Sequence, residues 1–172
     1  MDKKIILYIA ISLDGFIAKE DGNIDWLTKY ENIGEDYGFK EMYDKIGIVL
    51  VGGITYRQIE DAYKGKEVYV FSRTKTRQKA DNIHFVSGDV KKIVNNLKLE
   101  NNKNIWLVGG ASLVNQFLSA DLIDEYIITI IPTLLGKGIS LFQGKNHESN
   151  LKLSNVKSFD SGLIQLHYVK RA

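Results

Sequence analysis

The chain has 172 residues, with 23 basic and 21 acidic side chains and a net charge of +2. Its 44% hydrophobic and 26% charged residues are ordinary for a globular protein and argue against a disordered or fibrous chain. A chain of this length is expected to form one domain, here over residues 1–172. The nearly balanced charge predicts neither nucleic acid nor a membrane as a partner.

Residues that commonly hold metal ions are scarce. Cysteine is absent, which excludes disulfide bonds and thiolate ligands. The histidines, His84, His147 and His167, lie far apart in the sequence, so we expect no metal site. The first apolar run is too short for a secretory signal or a membrane span. We therefore expect a cytoplasmic protein.

Apolar runs alternate with helix-like segments along most of the chain. The predicted strands are Ile5–Ile11, Ile48–Val51, Val68–Phe71, Ile83–Val86, Ile105–Val108 and Tyr126–Ile131. The predicted helices are Asp36–Ile46, Thr55–Ala62, Asp89–Leu97 and Ser112–Ala120. The runs are mostly apolar without alternation, as in strands that are covered on both faces. Parallel strands need crossover connections of this kind, so we predict an α/β fold with a largely parallel sheet and helices on both faces.

The end of the chain follows a different pattern. Two extended segments, Leu151–Phe159 and Leu163–Lys170, flank the turn sequence Asp160-Ser161-Gly162. In the second segment, apolar Ile164, Leu166 and Tyr168 alternate with Gln165, His167 and Val169. The pattern predicts a C-terminal antiparallel hairpin with one solvent-exposed face.

An apolar strand that ends in Gly-Gly just before a helix occurs twice. Gly52-Gly53 precede Thr55, and Gly109-Gly110 precede Ser112. A helix N-terminus offers unpaired N–H groups, and glycine lets a phosphate approach the backbone closely. Either pair alone is explained equally well by a tight turn that requires glycine. Two such turns in one small domain predict contacts to both phosphates of a pyrophosphate-containing ligand.

Motifs that the sequence contains, and others that it lacks, limit which ligand can bind at these turns. The glycine patterns of Rossmann and P-loop proteins do not occur. Ser72-Arg73-Thr74-Lys75 directly follow the predicted strand Val68–Phe71 and combine hydroxyls with cations. Such a group suits a phosphate monoester, like the 2′-phosphate that distinguishes NADPH from NADH. A solvated basic loop over Lys64–Lys79 is the alternative interpretation. These residues predict a phosphorylated dinucleotide, such as NADPH, as the cofactor.

Taken in order, these segments resemble the dihydrofolate reductase-like superfamily. The resemblance is strongest to its bacterial branch related to the C-terminal reductase domain of the riboflavin-biosynthesis deaminase/reductase. It rests on the leading strand and the following segments: Ser12–Ala18, Gly52–Tyr56, Phe71–Arg73, Val108–Leu113 and Leu122–Gly138. The resemblance implies a single-domain dihydrofolate reductase-like fold with an eight-stranded mixed sheet, which binds NADPH without a Rossmann motif.

The resemblance also implies roles for individual residues at the cofactor. Ala10 and Ile17 would flank the nicotinamide. The first glycine turn would bind one phosphate, through Gly52, Gly53, Thr55 and Tyr56. Ser72, Arg73 and Lys75 would contact the adenosine end. The second turn would bind the pyrophosphate, through Gly109, Gly110, Ala111, Ser112 and Leu113.

At the substrate, the resemblance implies roles for Trp26, Thr129 and one carboxylate. Trp26 and Thr129 would lie beside the substrate ring, although a tryptophan at this place is equally explained as a loop anchor. The carboxylate would be Glu35 or Asp36, at the start of the predicted helix. We favour Asp36 as the catalytic residue and Glu35 as a substrate contact. Helix capping is the alternative role for Asp36.

The leading functional hypothesis is an NADPH-dependent reductase of the riboflavin-biosynthesis type, acting on a small pyrimidine or pteridine-like substrate. One alternative is a dihydrofolate reductase, and another is a non-catalytic nucleotide-binding or sensor protein. The resemblance further implies a homodimer. We expect the segment Leu163–Lys170 to form an edge strand, and a second copy of the chain would cover it.

Overall fold

A computed structural model of the chain describes residues 3–31, 34–59, 62–73, 80–100, 103–144 and 148–171. Along these residues, strands and helices alternate much as the sequence predicts. In chain order they are β1 (Ile5–Ser12), β2 (Phe16–Ala18), α1 (Asp25–Glu31), α2 (Phe39–Asp44), β3 (Ile46–Gly52), α3 (Gly53–Gln58), β4 (Glu67–Phe71), β5 (Ile83–Val86), α4 (Val90–Glu100), β6 (Asn104–Gly109), α5 (Ala111–Ser119), β7 (Glu125–Ile131), β8 (Ile139–Ser140), β9 (Leu151–Ser158) and β10 (Ile164–Lys170).

Eight strands form one sheet in the order β5-β4-β3-β6-β1-β7-β10-β9. The first six strands of this order are parallel, whereas β10 is antiparallel to both β7 and β9. The mostly parallel eight-stranded sheet and its C-terminal hairpin are therefore confirmed. None of the helices in the described ranges has the length and apolar character needed to cross a bilayer.

Three elements, α1, β2 and β8, were not predicted and form where the sequence suggested loop. Strands β2 and β8 pair with each other in a separate two-stranded sheet. They have only three and two residues, so neither carries a detectable period, and each depends on a partner that is distant in sequence. Helix α1 has seven residues and is anchored by the buried Trp26.

Helices cover both faces of the sheet, as expected. Because side chains alternate along β1, Ile5 and Leu7 pack with residues of α4 and α5, whereas Ile6 packs on the opposite face with Met42 of α2 and Tyr56 of α3. A third, smaller cluster forms around the ends of β1 and β7, where Trp26 contributes to the packing together with Ile131 and Leu163.

The hairpin departs from the prediction in two ways. The edge strand is β9, and β10 lies between β7 and β9, so the expectation that Leu163–Lys170 forms the edge was wrong. The polar face of β10 is also not the exposed one, since Gln165 is 1% exposed and Ile164 is 42% exposed. The reason is that Gln165 finds hydrogen-bond partners in residues that cover its face, including the backbone of Tyr37.

Candidate functional site

The two glycine pairs lie side by side at one edge of the sheet. Strands β3 and β6 are parallel neighbours, so their carboxyl ends meet. A Cβ atom added to Gly52 would lie 3.5 Å from both the oxygen of Gly109 and the nitrogen of Gly110. Gly109 has a φ of 117°, a conformation that favours glycine, and the Gly109–Gly110 peptide bond is cis. The fold thus joins two turns that are distant in sequence into one surface.

Hydroxyl groups lie directly against these turns. A Cβ atom on Gly110 would be 3.0 Å from Oγ1 of Thr55, and one on Gly53 would be 3.3 Å from Oγ of Ser72. Ser72 follows β4, the next strand of the sheet, so three parallel strands contribute to this edge. Backbone N–H groups, two hydroxyls and close backbone access form a surface that suits phosphate oxygens.

Helix α5 starts at this surface. The N–H groups of Leu113 and Val114 donate to the oxygen of Gly110, and helix geometry leaves the N–H groups of Ala111 and Ser112 for a ligand. The side chains of Ala111 and Leu113 are buried in the core, so both residues offer a ligand only backbone groups. Ser112 is exposed and lines a groove of about 690 Å³ between α4 and α5, together with Gly88.

The remaining residues of the predicted cofactor site differ in how accessible they are to a ligand. Tyr56 is 3% exposed, and its ring packs edge-on against Phe85 in the core, so it also has only its backbone to offer. Arg73 follows Ser72 and is exposed. Lys75 lies outside the described residues. From the basic segment, Lys66 has a structural role, because its ammonium donates to the oxygens of Tyr43 and Ile46.

Strands β1 and β2 carry the residues expected beside the nicotinamide. Ala10, on β1, packs against the cluster of Trp26, and Ile17, on β2, packs against the main core. Strand β2 pairs with β8, and the backbone of Gly138, just before β8, packs closely against β2. A Cβ atom on Gly138 would come within 2.3 Å of the oxygen of Ala18.

Asp14 fastens the loop after β1 to the segment before β8. Its carboxylate accepts hydrogen bonds from Oγ of Ser12 at 2.6 Å, from the N–H of Gly136 at 2.8 Å and from the N–H of Leu135 at 3.1 Å. These bonds, the one from Ser12 foremost, lower the pKa of Asp14. The sequence marks Asp14 only as a turn residue, since its partners 121 and 122 positions away carry no pattern that points to it.

Trp26 and Thr129 lie on the same face of the sheet as Ala10. Trp26 is 6% exposed, and its indole N–H has no hydrogen-bond partner among the described residues. A buried N–H of this kind is a donor that a ligand can satisfy. Thr129 is 5% exposed and pairs with Ala10 across β1 and β7. These positions are consistent with a flat ring that binds above Ala10.

The two acidic candidates lie in the turn just before α2. Asp36 is exposed, and its carboxylate accepts hydrogen bonds from the N–H of Gly38, the N-cap residue, at 2.9 Å and from the N–H of Lys40, in the first turn of α2, at 3.2 Å. Asp36 therefore helps to cap the helix. These two bonds, more than the neighbouring Lys157 and Lys40 ammonium groups, lower the pKa of Asp36. Asp36 is therefore ionised near neutral pH. Glu35 is exposed as well. The catalytic role of Asp36 stays a prediction.

Sequence reasoning missed a buried polar network behind Thr129. The side-chain amide of Gln165 contacts Thr129, and the ring of His167 contacts that amide in turn. The alternation along β10 suggested only an exposed polar face. Among the residues the structure describes, no group of three histidine or acidic side chains is placed to hold a metal ion.

The strand order, the paired glycine turns and the C-terminal hairpin define a dihydrofolate reductase-like fold. The NADP(H) complex of dihydrofolate reductase from Enterococcus faecalis superposes with a TM-score of 0.74 at 14% identity and covers 100% of this chain and 99% of that one. Residues 3–165 match the RibD C-terminal domain, and the chain belongs to this family.

Relatives of known sequence or structure agree with the assignment. The uncharacterized protein YwjB of Bacillus subtilis is 42% identical and covers 99% of each chain. The structure of a putative riboflavin biosynthesis protein from Shewanella sp. PV-4 is 28% identical, with a TM-score of 0.89, and covers 98% of this chain and 99% of that one. The deaminase/reductase of Thermotoga maritima is 17% identical, with a TM-score of 0.74, and covers 99% of this chain and 57% of that one.

Proposed function

We propose that the protein is an NADPH-dependent reductase of the riboflavin-biosynthesis type, which acts on a small pyrimidine substrate. The observation that carries the proposal is the joined pair of glycine turns, with the hydroxyls of Thr55 and Ser72 against them. The family supports the reductase class. The Thermotoga maritima protein is named as a 5-amino-6-(5-phosphoribosylamino)uracil reductase, which suggests the substrate class.

The residues present fit a phosphorylated dinucleotide. The glycine turns and the first N–H groups of α5 would bind the pyrophosphate, and the groove beside Ser112 has room for the adenosine half. Arg73 would bind the 2′-phosphate. Bound NADPH would supply the hydride. Ala10 and Ile17 would hold the nicotinamide against the substrate ring.

The proton that completes the reduction would come from water in this proposal. Asp36 is ionised near neutral pH, because the N–H groups of Gly38 and Lys40 and the nearby cations lower its pKa. An ionised carboxylate has no proton to donate, but it can orient a water molecule that does. Trp26 would shield one side of the ring from bulk solvent.

The proposal can be tested directly by turnover. Purified protein is mixed with NADPH and 5-amino-6-(5-phosphoribosylamino)uracil, and oxidation is followed by the loss of absorbance of the reduced cofactor. Dihydrofolate is assayed in parallel. We expect turnover of the uracil compound well above that of dihydrofolate. NADPH binding without oxidation of either compound would support the non-catalytic alternative instead, and faster reduction of dihydrofolate would support a dihydrofolate reductase.

Cofactor preference is the first quantitative prediction. If Arg73 binds the 2′-phosphate, NADPH should bind at least about tenfold more tightly than NADH, since one charge-assisted hydrogen bond contributes about 1.5–3 kcal/mol. Titration of both cofactors, followed by tryptophan fluorescence, measures the ratio. Arg73→Ala should reduce the ratio, and Lys103→Ala, a lysine outside the site, should leave it unchanged. Equal affinities for the two cofactors would contradict the assignment.

Self-association is the second prediction. Cross-strand pairing puts Leu153, Val156 and Ile164 on one face of the hairpin, where they are 49%, 49% and 42% exposed. An apolar face of this kind is typical of a protein interface, and a second copy of the chain is the occupant that we propose. Sedimentation should give twice the monomer mass of 19.5 kDa.

A pair of variants on β9 tests where the interface lies. Val156→Asp puts a charge on the apolar face and should yield monomers. Asn155→Asp puts the same charge on the opposite face, beside His167, and should leave the dimer intact. A wild-type protein that sediments as a monomer at every concentration would refute the homodimer.

A further inference from the structure

The side-chain amide of Gln165 occupies the centre of a buried polar network beside the proposed substrate site. Gln165 is 1% exposed and lies on β10, opposite Thr129 of β7. Thr129 in turn lies opposite Ala10 of β1, so the three residues form one row across the sheet. Ala10 belongs to the cluster of Trp26, which places the row at the edge of the proposed site.

The surroundings fix which end of the amide points where. Nε2 of Gln165 lies 3.2 Å from the backbone oxygen of Tyr37, which can only accept a hydrogen bond. The amide nitrogen must therefore be on this side. The same nitrogen lies 3.0 Å from Oγ1 of Thr129. Both hydrogens of the amide are thus donated, one to Tyr37 and one to Thr129, with a longer contact of 3.4 Å to the hydroxyl of Tyr8.

The other end of the amide is fixed by His167. Oε1 of Gln165 lies 2.8 Å from Nε2 of His167, and because the oxygen can only accept, Nε2 must carry a hydrogen. Burial, together with the nearby Lys157, lowers the pKa of His167 despite the opposing carboxylates of Glu125 and Glu41. The ring is therefore neutral near pH 7, with its hydrogen on Nε2 and not on Nδ1.

This arrangement determines what the hydroxyl of Thr129 can do. The hydroxyl accepts a hydrogen bond from Gln165, and in the described part of the chain it has no second side-chain partner. Its own hydrogen is consequently left to donate. Gln165 approaches from β10, so the O–H bond points away from that amide, and the strand on the other side of Thr129 is β1, where Ala10 lies opposite. Because the Thr129 side chain is only 5% exposed, bulk water has little access to this donor, and a bound ligand can satisfy it.

We propose that Gln165 is a positioning residue that turns the O–H of Thr129 toward the substrate, so that the site selects a ring with a hydrogen-bond acceptor, a carbonyl oxygen or an unprotonated ring nitrogen, at that point. The proposal rests on the proposed function. It adds that Thr129 is the hydrogen-bond donor, and the substrate the acceptor, in one contact of that site. A substrate that offers an N–H group there meets a second donor and is rejected.

A double-mutant cycle tests the proposal with 5-amino-6-(5-phosphoribosylamino)uracil and NADPH. Gln165→Met keeps the volume and removes the amide, so the hydroxyl of Thr129 is free to rotate. We expect its KM for the uracil compound to rise about threefold to tenfold, with NADPH affinity unchanged. Thr129→Val should raise KM by a similar factor. In the Thr129→Val background, Gln165→Met should have no further effect, because the group it positions is gone.

The cycle separates positioning from a general structural role. If Gln165→Met only loosens the fold, it will raise KM by the same factor in both backgrounds, and that result would overturn the proposal. An unchanged KM in the single variant would overturn it as well. Leu99→Met serves as a control, since it places the same side chain at an exposed position of α4, away from the proposed site and the proposed dimer face.

The orientation of the amide can also be read without any substitution. Nitrogen NMR of the wild-type protein near pH 7 should show His167 with its hydrogen on Nε2. A hydrogen on Nδ1 would mean that Gln165 is reversed and would refute the proposal. If the wild-type protein does not oxidise NADPH with the uracil compound, the proposed function fails, whereas the tautomer of His167 still decides the orientation of Gln165.

Discussion

A Gly110→Val protein is expected to lose most of its affinity for NADPH while an Asp36→Asn protein keeps it. A Cβ atom at Gly110 already comes within 3.0 Å of Oγ1 of Thr55, and valine adds two further methyl groups where the pyrophosphate is proposed to bind. If binding requires the ligand or the turn to shift at a cost of about 1–3 kcal/mol, the affinity falls by up to about a hundredfold. Asp36 is an exposed capping residue and affects turnover at most.

Fluorescence titration of both variants with NADPH measures the difference, after circular dichroism has verified that each is folded. Gly110→Ala provides the intermediate step, since it adds one carbon at the same place, and its affinity should fall between those of wild type and Gly110→Val. If Gly110→Val folds and binds NADPH as wild type does, the glycine pairs are only structural turns. The cofactor proposal would then lose its main support.

A Gly138→Ala protein is expected to be much less stable than the wild-type protein. The added Cβ would lie 2.3 Å from the backbone oxygen of Ala18 and 3.2 Å from Cβ of Phe16, and a backbone oxygen cannot rotate away as a side chain does. Relief requires β2 and β8 to separate. We expect a loss of about 3 kcal/mol, which lowers Tm by about 6–12 °C in a chain of this size.

Gly136→Ala is the matched control two residues earlier. Gly136 has a φ of 72° with open space where a Cβ would lie, so alanine there suffers only backbone strain of about 1–2 kcal/mol. Thermal unfolding of both variants gives the comparison. Gly138→Ala should also bind NADPH more weakly, because β2 carries Ile17. Equal melting temperatures for the two variants would show that β2 and β8 can move apart at little cost in stability.

Much of the sheet could be predicted because the relevant signals are local. The uninterrupted apolar runs identified β1 and β3–β7, and the glycine pairs marked where β3 and β6 end. By contrast, β2 and β8 have no detectable period, and each forms only because the other is present. The acidic residues show a further limit, since the sequence alone does not distinguish a capping Asp36 from a catalytic one.

The sequence by itself determined the order of β1, β3–β7 and α2–α5, the two glycine turns and the presence of a C-terminal hairpin, because each follows from the period or chemistry of a few consecutive residues. Only the tertiary structure decided which face of that hairpin is buried. The sequence predicted that the polar face would be exposed, but in the structure Gln165 is buried and Ile164 is exposed. The tertiary structure also brought Thr55 against Gly110, and Asp14 against the segment before β8. Burial and such contacts depend on what packs across a face, and that is set by residues far away in the chain.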